Sequence, residues 1–345
     1  MALRNEIFEQ PAVLQTLLET QWAHIQTVAQ AIRQREVNYV FLAARGTSDH
    51  AGLYAKYLWG TLNRLPVALA APSIFSLYQQ PPRLKNALVV GISQSGQSPD
   101  IVSVVAEGKR QGNLTLAMTN DPGSPLAETA ELVLNLSAGA EKAVAATKTY
   151  TAELLTIAML SIALAEDEGR LAALQRLPDR VTETLALDET IKRVAERYRY
   201  MEQCVILGRG YNYATAFEWS LKLKELAYVV AEPYSSADFR HGPIAIVAQG
   251  FPVLAIVVEG VVSDDLLSLL QKLLDDHQAE LLVISNHQAA LKLARAPLPL
   301  PADLPEWLSP IVTIIPAQLF SYHLTRAKGF DTETPRGLHK VTKTY

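Results

Sequence analysis

Among 345 residues there is a single cysteine, Cys204. No disulfide can therefore form within the chain, and a reducing compartment suits it. The thiol sits in the strand-like run Gln203-Cys204-Val205-Ile206-Leu207, where a buried core residue is expected. Excess charge of either sign is also missing. Against 31 Lys and Arg stand 35 Asp and Glu, a formal net charge of -4, which gives no basic field to draw nucleic acid. No apolar run approaches membrane-spanning length, and Met1-Ala2-Leu3-Arg4-Asn5-Glu6 lacks the core of a signal peptide. No Cys/His cluster suggests a metal, and nothing calls for a cofactor. The expectation is a soluble cytoplasmic protein with neither membrane nor nucleic-acid partners. Its composition of 49% hydrophobic and 19% charged residues fits a well-packed globular chain, and its length suggests about two domains.

Strand and helix patterns alternate along the chain, as in an α/β fold with a parallel sheet. An amphipathic helix is expected over residues 11–34. Strand Tyr39–Ala44, a helix over 49–63, strands Val67–Ala70 and Ala87–Ile92, a helix from 99 and strand Thr115–Thr119 follow. Asn120-Asp121-Pro122-Gly123 breaks the chain, a long apolar helix covers 147–165, and residues 165–170 are the best linker. A charged helix over 178–199 leads to a second half: strand Cys204–Leu207, a helix over 212–230, strand Val253–Val258, a helix over 263–275 and strand Glu280–Ile284. The halves align. Phe41–Gly46 corresponds to Val205–Gly210, and Leu88–Ser95 corresponds loosely to Leu254–Val261.

The most informative stretch is Ser93-Gln94-Ser95-Gly96-Gln97-Ser98, between a buried strand and a helix opened by Pro99. Hydroxyls and backbone N–H groups at such a turn make a nest for phosphate at the positive end of a helix dipole. The spacing Gly91-x-x-x-x-Gly96 mimics a nucleotide P-loop, but Gln97 replaces its lysine, which favours a small phosphorylated metabolite over ATP. A plain serine-rich surface turn is the competing reading. The second half has lost this nest and carries Glu259, so one site per chain is expected. Gly208-x-Gly210 gives two thirds of a dinucleotide fingerprint, but Tyr213 replaces the third glycine, which argues against NAD.

Three further clusters bear on chemistry. In Arg45-Gly46-Thr47-Ser48-Asp49-His50, Thr47 and Ser48 offer hydroxyls to the same phosphate, or Ser48 caps the next helix. The small residues of Glu141–Lys148, Val144 and Ala146 among them, allow close approach to a ligand, although a plain helix N-terminus explains Thr147 as well. Glu218, Lys222 and Glu225 fall at i, i+4 and i+7 on one helix face, either as an exposed ion pair or with Lys222 orienting one carboxylate while the other faces a cavity. Glu225 is the better candidate base. His241 sits in the turn Phe239–Pro243, where a solvated histidine is the default.

Gly46-Thr47-Ser48, Ser93-Gln94-Ser95-Gly96, Ala145–Lys148, Leu221-Lys222-Leu223-Lys224-Glu225, His241-Gly242-Pro243 and Pro335–Lys340 together resemble the tandem sugar-isomerase (SIS) domains of glucosamine-6-phosphate synthase. Ser48–Gly52, Ser95–Asp100, Glu141–Lys148 and Lys340-Val341-Thr342 are closer still to SIS-type glucosamine-6-phosphate deaminases. The resemblance implies two flavodoxin-like, parallel-sheet α/β sandwich domains with a C-terminal tail, residues 1–175 carrying the phosphate loop and 176–345 the second domain and tail. It implies that Thr47, Ser48, Ser93, Gln94, Ser95 and Ser98 hold a sugar phosphate, with Gly46, Val144, Ala146, Glu218, Lys222 and His339 lining the substrate. Glu225 would move a proton between C1 and C2, and His241 would assist ring opening in the neighbouring subunit's site of a homodimer. Lys340 would close over the open-chain sugar. Ala146 stands where the synthase has serine, and Arg45 where it has cysteine.

Alanine follows Met1, where an N-terminal-nucleophile glutaminase needs its cysteine, so the release direction is expected: glucosamine 6-phosphate and water to fructose 6-phosphate and ammonia. Alternatives are another phosphosugar aldose–ketose isomerase, a fructosamine-6-phosphate deglycase, a noncatalytic phosphosugar-binding regulator, and a subunit fed by a separate glutaminase.

Overall fold

The computed structural model describes residues 2–340. Two five-stranded sheets, parallel throughout, organise two compact units. The first unit comprises residues 12–142, 146–176 and His339 with Lys340. The second comprises residues 2–11, Ala143–Ala145 and Leu177–Leu338.

In the first unit the strands are β1 (Tyr39–Ala43), β2 (Val67–Leu69), β3 (Ala87–Ile92), β4 (Leu114–Thr119) and β5 (Leu132–Asn135), in spatial order β2-β1-β3-β4-β5. Every residue of β3 and β4 is buried, as expected for parallel strands covered by helices on both faces. The chain leaves β1 toward β2 on one side and returns to β3 on the other, which opens a crevice beyond the carboxyl ends of β1 and β3. Register pairs Ala43 with Gly91, so the turns beginning at Ala44 and Ser93 leave the sheet side by side. Helices Thr47–Leu62 and Lys148–Ala165 pack together, and Trp59 Nε1 donates to the Ile157 carbonyl at 3.2 Å. Lys148–Ala165 is long and apolar enough to cross a membrane by length and composition, with a mean hydropathy of 1.2, but 89% of it is buried inside the protein. It is a core helix.

The second unit repeats the plan with β6 (Gln203–Gly208), β7 (Val230–Ser235), β8 (Pro252–Val257), β9 (Glu280–Ser285) and β10 (Ala296–Pro299), ordered β10-β9-β8-β6-β7. Its corresponding crevice lies between β6 and β8. Helix Ser309–Ala327, buried from Ser309 to Thr325, packs against Leu177–Leu185, Asp188–Arg197 and Tyr213–Lys222.

Several expected elements change. The first helix begins at Ala2 and runs through Pro11 to Arg33. The charged segment is two helices, Leu177–Leu185 and Asp188–Arg197. The linker at 165–170 is a tight turn, with Glu166 left-handed and Asp167 capping helix Glu168–Gln175. The helix expected over 212–230 stays α-helical only to Lys222, becomes a π turn over Leu223–Ala227 and gives way to β7.

Candidate active site

In the first unit the turn after β3 has the shape of a nest. Ser93 Oγ accepts from Gly96 N at 3.2 Å and Ser95 Oγ from Gln97 N at 3.3 Å, which curls the loop back on itself. Gly96 is left-handed at φ 60°, and a Cβ there would lie 2.0 Å from Ser124 Oγ, so only glycine fits. Ser98 is the N-cap of helix Pro99–Arg110, yet its hydroxyl does not cap the helix. Gly46, Thr47 and Ser48 begin helix Thr47–Leu62 at the end of the adjoining strand. The N-cap there is Gly46, so Ser48 is not the cap. Its buried hydroxyl donates to Glu153 Oε1 at 2.7 Å. Gln94, Ser95 and Ser98 are half-buried and Ser93 is buried.

The loop lacks a P-loop lysine, but a cation is tied to the helix that follows it. Arg45 Nε donates to Asp100 Oδ2 at 2.9 Å, and the Asp100 side chain is 0% exposed. Neither the pairing nor the burial of Asp100 is visible in local sequence.

Lys340 and Glu141 also meet in this unit: Nζ donates to Oε2 at 2.6 Å. Glu141 accepts from the backbone N–H of Thr147 and Thr149 at 2.9 and 3.1 Å, and from Thr149 Oγ1 at 2.8 Å. It thereby supplies the anion at the N-terminus of helix Lys148–Ala165, whose own first turn contains no acid. Ala146 is half-buried beside this loop and His339 is exposed. Val341 and Thr342, named with Lys340 above, lie outside the described residues.

In the second unit Glu218, Lys222 and Glu225 come together. Lys222 Nζ lies 3.3 Å from Glu218 Oε1 and donates to Glu225 Oε2 at 2.8 Å. Glu218 and Lys222 are buried, whereas the Glu225 side chain is 23% exposed on the π turn. π turns of this kind recur at functional sites. Burial works against the charge on Lys222, but the Glu218 carboxylate and then that of Glu225 outweigh it and hold its pKa above the usual lysine value. The ammonium stays charged and fixes both carboxylates.

Two residues not anticipated as important brace this turn. Tyr228, left-handed at φ 54°, closes it and accepts from Arg336 N at 2.9 Å, while the Arg336 guanidinium lies 4.2 Å from the Tyr228 ring centroid. An aromatic three residues after Glu225 and an arginine in Pro335–Lys340 were the available signals. His241 is the exposed C-cap of helix Ser236–Arg240, and Val144 is half-buried. Cys204 is buried in β6, and burial pushes its thiol pKa up.

Two doubly wound parallel units, one bearing a hydroxyl-lined nest at its crevice and the other a lysine-bridged carboxylate pair, define a class of duplicated α/β proteins. The chain belongs to the SIS domain family, whose profile matches residues 35–163 and 199–327. It is 35% identical over 349 residues to a glutamine–fructose-6-phosphate aminotransferase (isomerizing) of Thermus thermophilus, covering 97% of this chain and 58% of that protein. The chain thus spans little more than half the length of that relative. Among solved structures, the C-terminal domain of glucosamine-fructose-6-phosphate aminotransferase from Francisella tularensis is 28% identical with a TM-score of 0.89, covering 97% of this chain and 98% of that one. A candidate phosphosugar isomerase from Silicibacter pomeroyi is 34% identical with a TM-score of 0.86, covering 96% and 99%.

Proposed function

We propose that this chain is a glucosamine-6-phosphate deaminase, converting glucosamine 6-phosphate and water to fructose 6-phosphate and ammonia. The observation that carries the reading is Glu225: a partly exposed carboxylate on a π turn, held by a buried ammonium that is itself balanced by Glu218. Such a group is suited to accept a carbon-bound proton and return it nearby. The phosphate is bound by Ser93, Gln94, Ser95 and Ser98 with Thr47 and the backbone N–H groups of the Gly46-Thr47-Ser48 turn, the Ser48 hydroxyl being spent on Glu153, and His241 assists opening of the pyranose.

In the open-chain aldehyde, Glu225 removes the C2 proton and leaves an enolamine across C1 and C2. Returning a proton to C1 gives the C2 imine of fructose 6-phosphate. Water adds to that imine carbon and ammonia leaves, so the product gains its ketone oxygen from water and no redox partner is needed. Lys340 closes over the chain-form sugar after leaving Glu141. His241 serves the neighbouring protomer of a homodimer.

A substrate panel tests the reading. Glucosamine 6-phosphate should release ammonia, and its N-acetylated counterpart should not. Amino-acid release from a 6-phosphorylated fructosamine, or ketose formation from an unaminated aldose phosphate without ammonia release from the amino sugar, would replace it with the deglycase or the simple isomerase.

A further inference from the structure

The two units place the same clasp across the same crevice and use it differently. In the first, Arg45 follows β1 and is held by Asp100 in the first turn of the helix after β3. In the second, Arg209 follows β6 and donates to Asp265 Oδ2 at 2.6 Å, in the first turn of helix Ser263–His277 after β8.

The second clasp is closed on itself. Arg209 also donates to Ser236 Oγ at 3.2 Å, and Arg240 takes the other Asp265 oxygen at 2.8 Å. The loop after β8 has its own anion as well. Glu306 Oε2 accepts from Val261 N at 3.0 Å, and a Cβ on Gly260 would lie 2.4 Å from the Glu306 carboxyl carbon. Asn286 Oδ1 takes the Glu259 N–H at 2.8 Å. The chain's own acceptors occupy the loop where the first unit has its hydroxyl nest.

The first clasp is open. Among the described residues Asp100 is the one hydrogen-bond partner of the Arg45 guanidinium, reached through Nε. The Arg45 side chain is 49% exposed, with Asp49 as the other carboxylate near it, and its anchor Asp100 lies two residues beyond Ser98, which ties the guanidinium to the end of the hydroxyl loop. Asp100 fixes the guanidinium at one edge and leaves the fork on the other, the arrangement that suits a doubly charged phosphate. Because the side chain is already anchored, little rotamer freedom is lost when a ligand arrives.

We propose that Arg45 is a phosphate-binding residue, replacing in this chain the cation that Gln97 does not supply, and that Asp100 positions it. This deepens the functional reading above and rests on it for the nature of the ligand.

The test uses the full-length protein with inorganic phosphate, fructose 6-phosphate and fructose as titrants, by calorimetry. Arg45→Gln should weaken binding of both phosphorylated titrants about 10- to 100-fold. Binding of unphosphorylated fructose should not change, and Arg45→Lys should recover part of the loss. Asp100→Asn, which frees the guanidinium to wander, should weaken phosphate less than Arg45→Gln and lessen the effect of removing Arg45. Unchanged phosphate affinity in Arg45→Gln overturns the proposal. So does a fall in melting temperature with equal loss for phosphorylated and unphosphorylated titrants, or an absence of phosphate binding in the wild type. If the wild type binds phosphosugar and loses it on Arg45→Gln but releases no ammonia from glucosamine 6-phosphate, Arg45 keeps this role and only the deaminase reading fails.

Discussion

Ser98 is the clearest residue at which ligand binding and fold stability separate. It holds the N-cap position without spending its hydroxyl there, so Ser98→Ala removes a prospective phosphate donor and no capping bond. The variant should melt within a degree or so of wild type while KM for a phosphosugar rises several-fold, as thermal denaturation and steady-state kinetics would show. Asp188 is the opposite case. It accepts from His323 Nε2 and Arg4 Nη2, each at 2.7 Å. Burial pushes its pKa up, but the hydrogen bonds from His323 and Arg4 outweigh it, and the carboxyl titrates below the usual 3.8. A carboxyl whose folded pKa is depressed stabilises the fold above its unfolded pKa and loses that contribution as pH falls through the folded value. Melting of wild type and Asp188→Asn should therefore differ most near pH 6–7, and the gap should close below about pH 4.

The connections between elements were harder to read than the elements. β3 appears in the sequence with its exact bounds because a fully buried parallel strand is an unbroken apolar run. The edge strands β5, β7 and β10 are short or broken by polar residues and proline, and their pairing is decided by the neighbouring strand. Helix Ser309–Ala327 is buried on all sides, so it lacks the polar stripe that marks a helix by periodicity. The hydroxyl loop and the grouping of Glu218, Lys222 and Glu225 were legible because they are local. Arg45 with Asp100, Ser48 with Glu153 and Lys340 with Glu141 were not, since 55, 105 and 199 residues separate the partners. Glu141 shows what such a partner does for an element. Glu141→Ala would leave the Thr147 and Thr149 N–H groups without their acceptor and Lys340 without its carboxylate, a loss of about 3 kcal/mol. Chemical denaturation should find that loss, and hydrogen exchange should place it in the first turn of Lys148–Ala165. An unchanged midpoint would mean that water or another group replaces the carboxylate.

At the scale of the whole molecule, two units share one topology, and in the second the chain's own acceptors occupy the loop after β8. The proposed exchange of His241 between protomers has a consequence at this scale alone. Glu225→Gln and His241→Asn would each cripple every site of their own homodimers. Mixed by unfolding and refolding together, they should form heterodimers with one intact site and recover about a quarter of wild-type activity. Recovery confined to the sum of the two variants would show that each chain supplies its own histidine.

The most direct measurement compares wild type with Glu225→Gln, scoring ammonia and fructose 6-phosphate formed from glucosamine 6-phosphate and, in parallel, the affinity for the phosphosugar. The wild type should yield the two products in equal amounts. The variant should bind within a few-fold of wild type and turn over at least about 100-fold more slowly. Near-normal product formation by Glu225→Gln, or no product from the wild type, would contradict the account.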